Sequence, residues 1–111
     1  MLLGGVAEAF DLSKEDSKTL ARYDTAPLVS MASINKKWNN HKLYGDHSRT
    51  LGKLLLLTRR LCERGAGFIT VTTNFVWDMH ADSNNATLTE GMGYTAPALD
   101  YALSAFLDDL E

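Results

Sequence analysis

A leucine-rich stretch with helical spacing runs, across Gly65-Ala66-Gly67, directly into a run of β-branched residues. Ser48 is a natural N-cap, and Leu51, Leu54, Leu55, Leu61 and Cys62 recur near one helical face that Leu56 and Leu57 widen. The spacing predicts a helix over 48–64. Arg59, Arg60 and Arg64 in its final turns complement the carbonyl end, and Gly65 suits the left-handed position after it. Gly67-Phe68-Ile69-Thr70-Val71-Thr72-Thr73 is nearly continuous in apolar or hydroxyl character, which predicts a strand over 67–76 buried on both faces. A helix feeding such a strand reads as α/β. The polar stretch from Asp78 to Asn85 then lies at the strand's carboxyl end, where open α/β sheets bind ligands.

The flanking segments fit less regular structure. Ser13 with Asp16 three residues later predicts a short helix over 14–21. From 23 to 46 neither a period of two nor one of 3.6 is sustained, and Pro27, Asn35, Asn39, Asn40 and Gly45 punctuate it. This predicts a long irregular segment 23–46, a feature usually tied to function or to packing on a further piece of protein. Thr87-Leu88-Thr89-Glu90 is a capping box, and 87–111 is expected to be helical, with an apolar period after Pro97 through Leu99, Leu103, Phe106, Leu107 and Leu110. Asp108, Asp109 and Glu111 load the negative end of that helix with acids, so the helix and the protein are expected to continue past Glu111.

Composition narrows the function. At 111 residues, 45% hydrophobic and 23% charged, the chain is at most one folded domain. A net charge of −3 without a long basic run offers no field for a nucleic acid. Cys62 is the lone cysteine, which excludes an internal disulfide and a multi-cysteine metal site and, from its helical position, predicts an inert core thiol. The longest apolar run, Leu54 to Leu57, is far too short to span a membrane, and Met1 to Val6 lacks the basic start and length of a secretory leader. No Gly-rich phosphate loop and no Gly-x-Ser-x-Gly elbow is present, so neither a nucleotide or flavin cofactor nor a serine nucleophile is expected.

Asp78, His80 and Asp82 alternate with Met79 and Ala81, which in an extended backbone points all three to one side. Carboxylate oxygen with imidazole nitrogen suits zinc, manganese or iron better than calcium, and Asn84 or Asn85 could orient the ring. An EF-hand reading fails, because Ser83 stands where the glycine belongs and Glu90 comes one residue late. The bland alternative is solvated turn chemistry. Trp77 and Phe75 are more simply core aromatics than a substrate platform. His41, Asp46 and His47 form a second polar group, but adjacent extended residues face opposite ways, so one metal takes Asp46 and His47 together only in a sharp turn. Arg59, Arg60 and Arg64 could hold an anion, although compensation at a helix end accounts for them.

Several blocks occur in order. They are Ala9-Phe10-Asp11-Leu12-Ser13-Lys14-Glu15-Asp16, Thr19 to Thr25, Leu51-Gly52-Lys53, Leu55 to Glu63, and Gly67 to Val71 leading to Trp77-Asp78-Met79-His80. Together they resemble the domain-of-unknown-function 1501 family, which is similar to the alkaline phosphatase and sulfatase superfamily. The resemblance implies hydrolysis of phosphate or sulfate esters with one or two divalent metals, zinc or manganese here, and an Asp and a His of a Trp-Asp-x-His motif on one metal. On this chain those are Asp78 and His80, with Asp82 nearby. It implies a fragment of an alkaline phosphatase-like sandwich, helices flanking one or two buried strands, in a single partial domain over 1–111. The upstream nucleophile, later metal ligands and the family's twin-arginine export leader to the periplasm are missing from this stretch, so the isolated chain is expected to be inactive. The expected partner is the remainder of a larger parent, or a second copy. The rival reading is a non-enzymatic assembly module that self-associates through its apolar helix faces.

Overall fold

The computed structural model describes residues 7–73 and 76–111. Its helices are α1 (Ser17–Arg22), α2 (His41–Glu63) and α3 (Leu88–Leu110), with 3₁₀ turns at Leu12–Lys14, Ala26–Leu28 and Met31–Ser33. Tyr44 meets Tyr94 with ring centroids 5.2 Å apart, His47 Nε2 lies 2.9 Å from the Thr95 carbonyl, and Arg59 reaches Asp109 at 3.1 Å. Residue numbers rise together along both helices, so α2 and α3 run parallel. The chain must therefore travel back the length of α2 before α3 begins. Twenty-three helical residues span about 35 Å, a distance that roughly ten extended residues cover. The β-branched run after Gly67 makes that return.

The expected α/β sandwich is not formed: no strand or sheet exists among the described residues. Residues 68–73 carry no regular secondary structure and join no ladder, since a ladder needs a second strand alongside. Burial on both faces is likewise corrected to burial on one. Ile69, Val71 and Thr73 are half-buried while Phe68, Thr70 and Thr72 are exposed. Phe75, and with it the expected end of the strand, lies outside the described residues.

Helix α2 starts at His41, seven residues before the expected cap. Ser48 is fully buried inside the helix, where its hydroxyl donates to the Thr25 carbonyl at 3.2 Å. Thr25 Oγ1 in turn donates to the Ser48 carbonyl at 2.6 Å and accepts from the Gly52 amide at 3.1 Å. A methyl group on Gly52 would stand 1.7 Å from the Tyr23 carbonyl oxygen, so only glycine lets residues 23–25 come this close to the helix. The segment expected to be irregular is thus two 3₁₀ turns and the first turns of α2, docked side-on. Its polar first residues and an Asn40 that makes no capping bond left no helical pattern to read. At α1 the cap is Asp16, which accepts from Thr19 N at 2.7 Å, rather than Ser13.

On α3 the buried face is Ala98, Ala102 and Ala105, packed against Leu51, Leu55 and Leu56. Of the expected apolar period, Leu99, Leu103, Leu107 and Leu110 are exposed, while Phe106 is half-buried against this core. Small side chains let the parallel helices approach closely, and the leucines rotate away from the contact. Pro97 lies inside the helix, not at its start. Thr87 caps it by accepting from Glu90 N at 3.2 Å, whereas the Glu90 carboxylate takes Trp38 Nε1 at 2.8 Å instead of closing the box. The acidic end of α3 is compensated from elsewhere in the fold. Asp109 accepts from Arg22 and from the Tyr23 hydroxyl, both at 2.7 Å, and from Arg59. Burial raises the Asp109 carboxyl, but Arg22, Tyr23 and Arg59 outweigh it and hold the group below its ordinary range. Cys62, expected in the core, is exposed.

Candidate functional site

Residues 78–86 form a loop that α2 and the segment before it hold in place. Asn39 N donates to the Ser83 carbonyl at 3.1 Å and Asn40 N to the Asn84 carbonyl at 3.0 Å. Their side-chain amides repeat the pairing, Asn39 to Asn84 and Asn40 to Asn85, each at 2.7 Å. Ala81 N donates to the Ala86 carbonyl at 3.2 Å, and the Ala86 amide donates to the buried Tyr44 hydroxyl at 2.9 Å. Below the loop Met79 lies on Gly91, where an added methyl would come within 2.7 Å of its sulfur. Trp77 stands edge-on to His47 with ring centroids 5.3 Å apart.

The alternation of Asp78, His80 and Asp82 does not stay extended. Ala81 has φ of 57°, the left-handed region that side-chain-bearing residues enter at a cost of about 1–2 kcal/mol. This reversal folds Asp82 back onto His80. The imidazole ends between two carboxylates: Nδ1 is 2.5 Å from Asp78 Oδ1 and Nε2 is 2.9 Å from Asp82 Oδ2. The other oxygen of Asp82 accepts from Asn84 N at 2.9 Å and Asn85 N at 2.7 Å, a turn that fixes this carboxylate. The hydrogen bond that His80 donates to Asp78, then the charges of Asp78 and Asp82, raise His80 above the ordinary histidine range. The Asn85 amide is the largest cause that lowers Asp82, joined by Asn84 and His80.

The three expected residues therefore do come together, on an exposed loop. They do not converge on one point, because the two ring nitrogens face opposite carboxylates. Among the described residues no three His, Cys, Asp or Glu side chains are arranged to hold a metal ion. The donor types fit a zinc or manganese ion, but a cation would have to take one of the two places now bonded to the ring.

The second polar group is dispersed along α2. His41 Nδ1 is 3.0 Å from the Trp38 carbonyl, and Asp46 pairs with Arg49. His47 is buried against α3, where burial lowers it below the ordinary histidine range despite its Thr95 contact. Its Nδ1 has no partner among the described residues. The arginines are spent on the protein itself. Arg60 is buried, with Nε 2.8 Å from the Ala9 carbonyl and Nη1 on Glu15; Arg59 joins Glu63 and Asp109, and Arg64 the Arg60 carbonyl. Residue spacing missed the clasp. Its signal was present as two Asn-Asn pairs, Asn39-Asn40 and Asn84-Asn85, whose pairing across 45 residues no local pattern reveals.

The profile of a family described as "Protein of unknown function (DUF1501)" matches residues 2–111, and the chain belongs to that family. Comparison with curated proteins and with solved structures finds no match. No helix among the described residues is long and apolar enough to cross a membrane.

Proposed function

We propose that this chain carries part of the metal-binding site of a phosphate or sulfate ester hydrolase, as one portion of a longer protein of the alkaline phosphatase and sulfatase superfamily. The observation that supports this reading is the imidazole of His80 held between Asp78 and Asp82. Metal-binding histidines commonly give their second nitrogen to a carboxylate, which fixes the ring and strengthens the nitrogen that binds. Asp82 is the carboxylate suited to that task, because the Asn84 and Asn85 amides already hold it. In this reading Nε2–H donates to Asp82, while His80 Nδ1 and Asp78 Oδ1 exchange their shared proton for a divalent cation. A bound zinc or manganese ion would supply Lewis-acid polarisation of the ester. Asp78 and His80 alone bind weakly, since catalytic zinc ordinarily has three protein ligands. The same reading carries the parent protein to the periplasm through a twin-arginine leader.

Calorimetric titration of the chain with zinc or manganese tests the assignment. Weak one-site binding is expected, lost in His80→Ala and reduced in Asp78→Asn. Equal heats for wild type and His80→Ala would refute it.

One observation favours a second reading, a non-enzymatic assembly module. Leu99, Leu103, Leu107 and Leu110 form an exposed stripe along α3, on a face beside the buried alanines. Light scattering tests it: a mass that falls in Leu103→Lys supports it, and a wild-type monomer removes it.

A further inference from the structure

One residue, Met79, separates Asp78 from His80, and it is held on α3 while its two neighbours stand in solvent. A methyl group added at Gly91 would lie 2.7 Å from both Cγ and Sδ of Met79 and 3.2 Å from Cε. The side chain therefore runs along the bare helix backbone instead of touching it with its tip. Gly45 supplies the contrast, because an added methyl there meets only the free end of Met31, Sδ at 2.8 Å and Cε at 3.0 Å. A thioether end can swing aside. Cγ is bonded directly to Cβ, so Met79 withdraws only by changing its first side-chain rotamer or by moving its own backbone. We infer that Gly91 and Met79 are positioning residues of the candidate metal site, a notch and a peg that set where Asp78 and His80 stand.

The notch is stiff. Gly91 is buried, its amide donates to the Thr87 carbonyl at 2.8 Å, and its carbonyl accepts from Thr95 Oγ1 at 3.0 Å. The Thr95 carbonyl also lies 2.9 Å from His47 Nε2, and His47 backs Trp77, the residue before Asp78. Helix α3 thus supports the chain on both sides of Asp78. Ordinary contact begins at 3.4 Å, so a methyl on Gly91 would drive Met79 Cγ away by about 0.7 Å. Binding constellations need their groups held within about 0.5 Å, which this displacement exceeds. The inference rests on the metal reading of the same loop and adds to it two residues that touch no metal.

Zinc calorimetry on the whole chain, paired with nitrogen-resolved NMR of the histidine rings recorded without metal, tests it. In Gly91→Ala zinc binding should weaken about tenfold or more, and the metal-free His80 Nδ1 resonance should move toward its position in Asp78→Asn. Met79→Ala, which empties the notch, should shift both readouts in the same direction and decides the matter if Gly91→Ala fails to fold. Gly93→Ala, on the same helix with nothing within 4 Å of the added methyl, should change neither. If the wild-type chain takes up no zinc, the metal reading fails and the ring spectra alone decide the positioning role. His80 resonances unchanged in both Gly91→Ala and Met79→Ala, zinc affinity unchanged in both, or an equal response in Gly93→Ala would overturn the inference.

Discussion

Two stretches of this chain lack regular structure, and they are held by opposite means. Residues 68–73 are held by half-buried side chains, Val71 among them packed against the core, while their backbone bonds to nothing among the described residues. Residues 78–86 bury little beyond Asn85 and Ala86, yet their backbone and side chains are bonded to Asn39, Asn40 and Tyr44. Apolar docking fixes where a segment lies but leaves its backbone unbonded. A polar clasp fixes the shape of a loop and leaves its outward side chains free for chemistry. The histidines divide likewise, His47 lowered by burial and His80 raised by Asp78 and Asp82.

Breaking the clasp should cost more than altering the unbonded segment. Tyr44→Phe leaves the buried Ala86 amide without its acceptor and should destabilise the fold by about 1–3 kcal/mol in denaturant unfolding. Asn40→Ala loses a single side-chain bond to Asn85, with an expected cost of about 0.5–1.5 kcal/mol by the same measurement. Thr72→Lys, exposed and unbonded, should stay within about 0.5 kcal/mol of wild type. A larger loss there, or none in Tyr44→Phe, would erase the distinction between the two stretches.

The pH dependence sharpens the same contrast. His47 binds its proton less readily folded than unfolded, so its contribution to stability is complete above the ordinary histidine range. It falls as pH drops from that range toward the depressed folded value. His80 acts in the opposite sense, adding stability below the ordinary range that is lost as pH rises through its elevated value. Unfolding curves between pH 5 and 8 should therefore lose their acid-side decline in His47→Gln, and a decline that persists unchanged would show that burial does not govern this group.

Much of the helical structure was legible, because leucine spacing and the Thr87 cap are local signals. The sheet was misread for a physical reason: β-branched composition reports extended backbone, and whether a ladder forms depends on a second strand that the sequence of one strand does not specify. On α3 the leucine period pointed to the wrong face, since a close parallel contact selects Ala98, Ala102 and Ala105 over larger residues. Alternation brought Asp78, His80 and Asp82 into view together, but the left-handed Ala81 and the Asn39-Asn40 clasp are tertiary features with no local period. Cys62 was misjudged because exposure is set by other elements, and the pairing of Asp109 with Arg22 and Arg59 likewise depends on elements far away in sequence.

The most direct test of the proposed site is nitrogen-resolved NMR of the histidine rings during a zinc titration. The expected result is that zinc moves the His80 Nδ1 resonance, leaves Nε2 protonated toward Asp82, and leaves His41 and His47 unchanged. A titration in which His80 does not respond, or in which Nε2 is the nitrogen that loses its proton to the metal, would contradict the division of roles between Asp78 and Asp82.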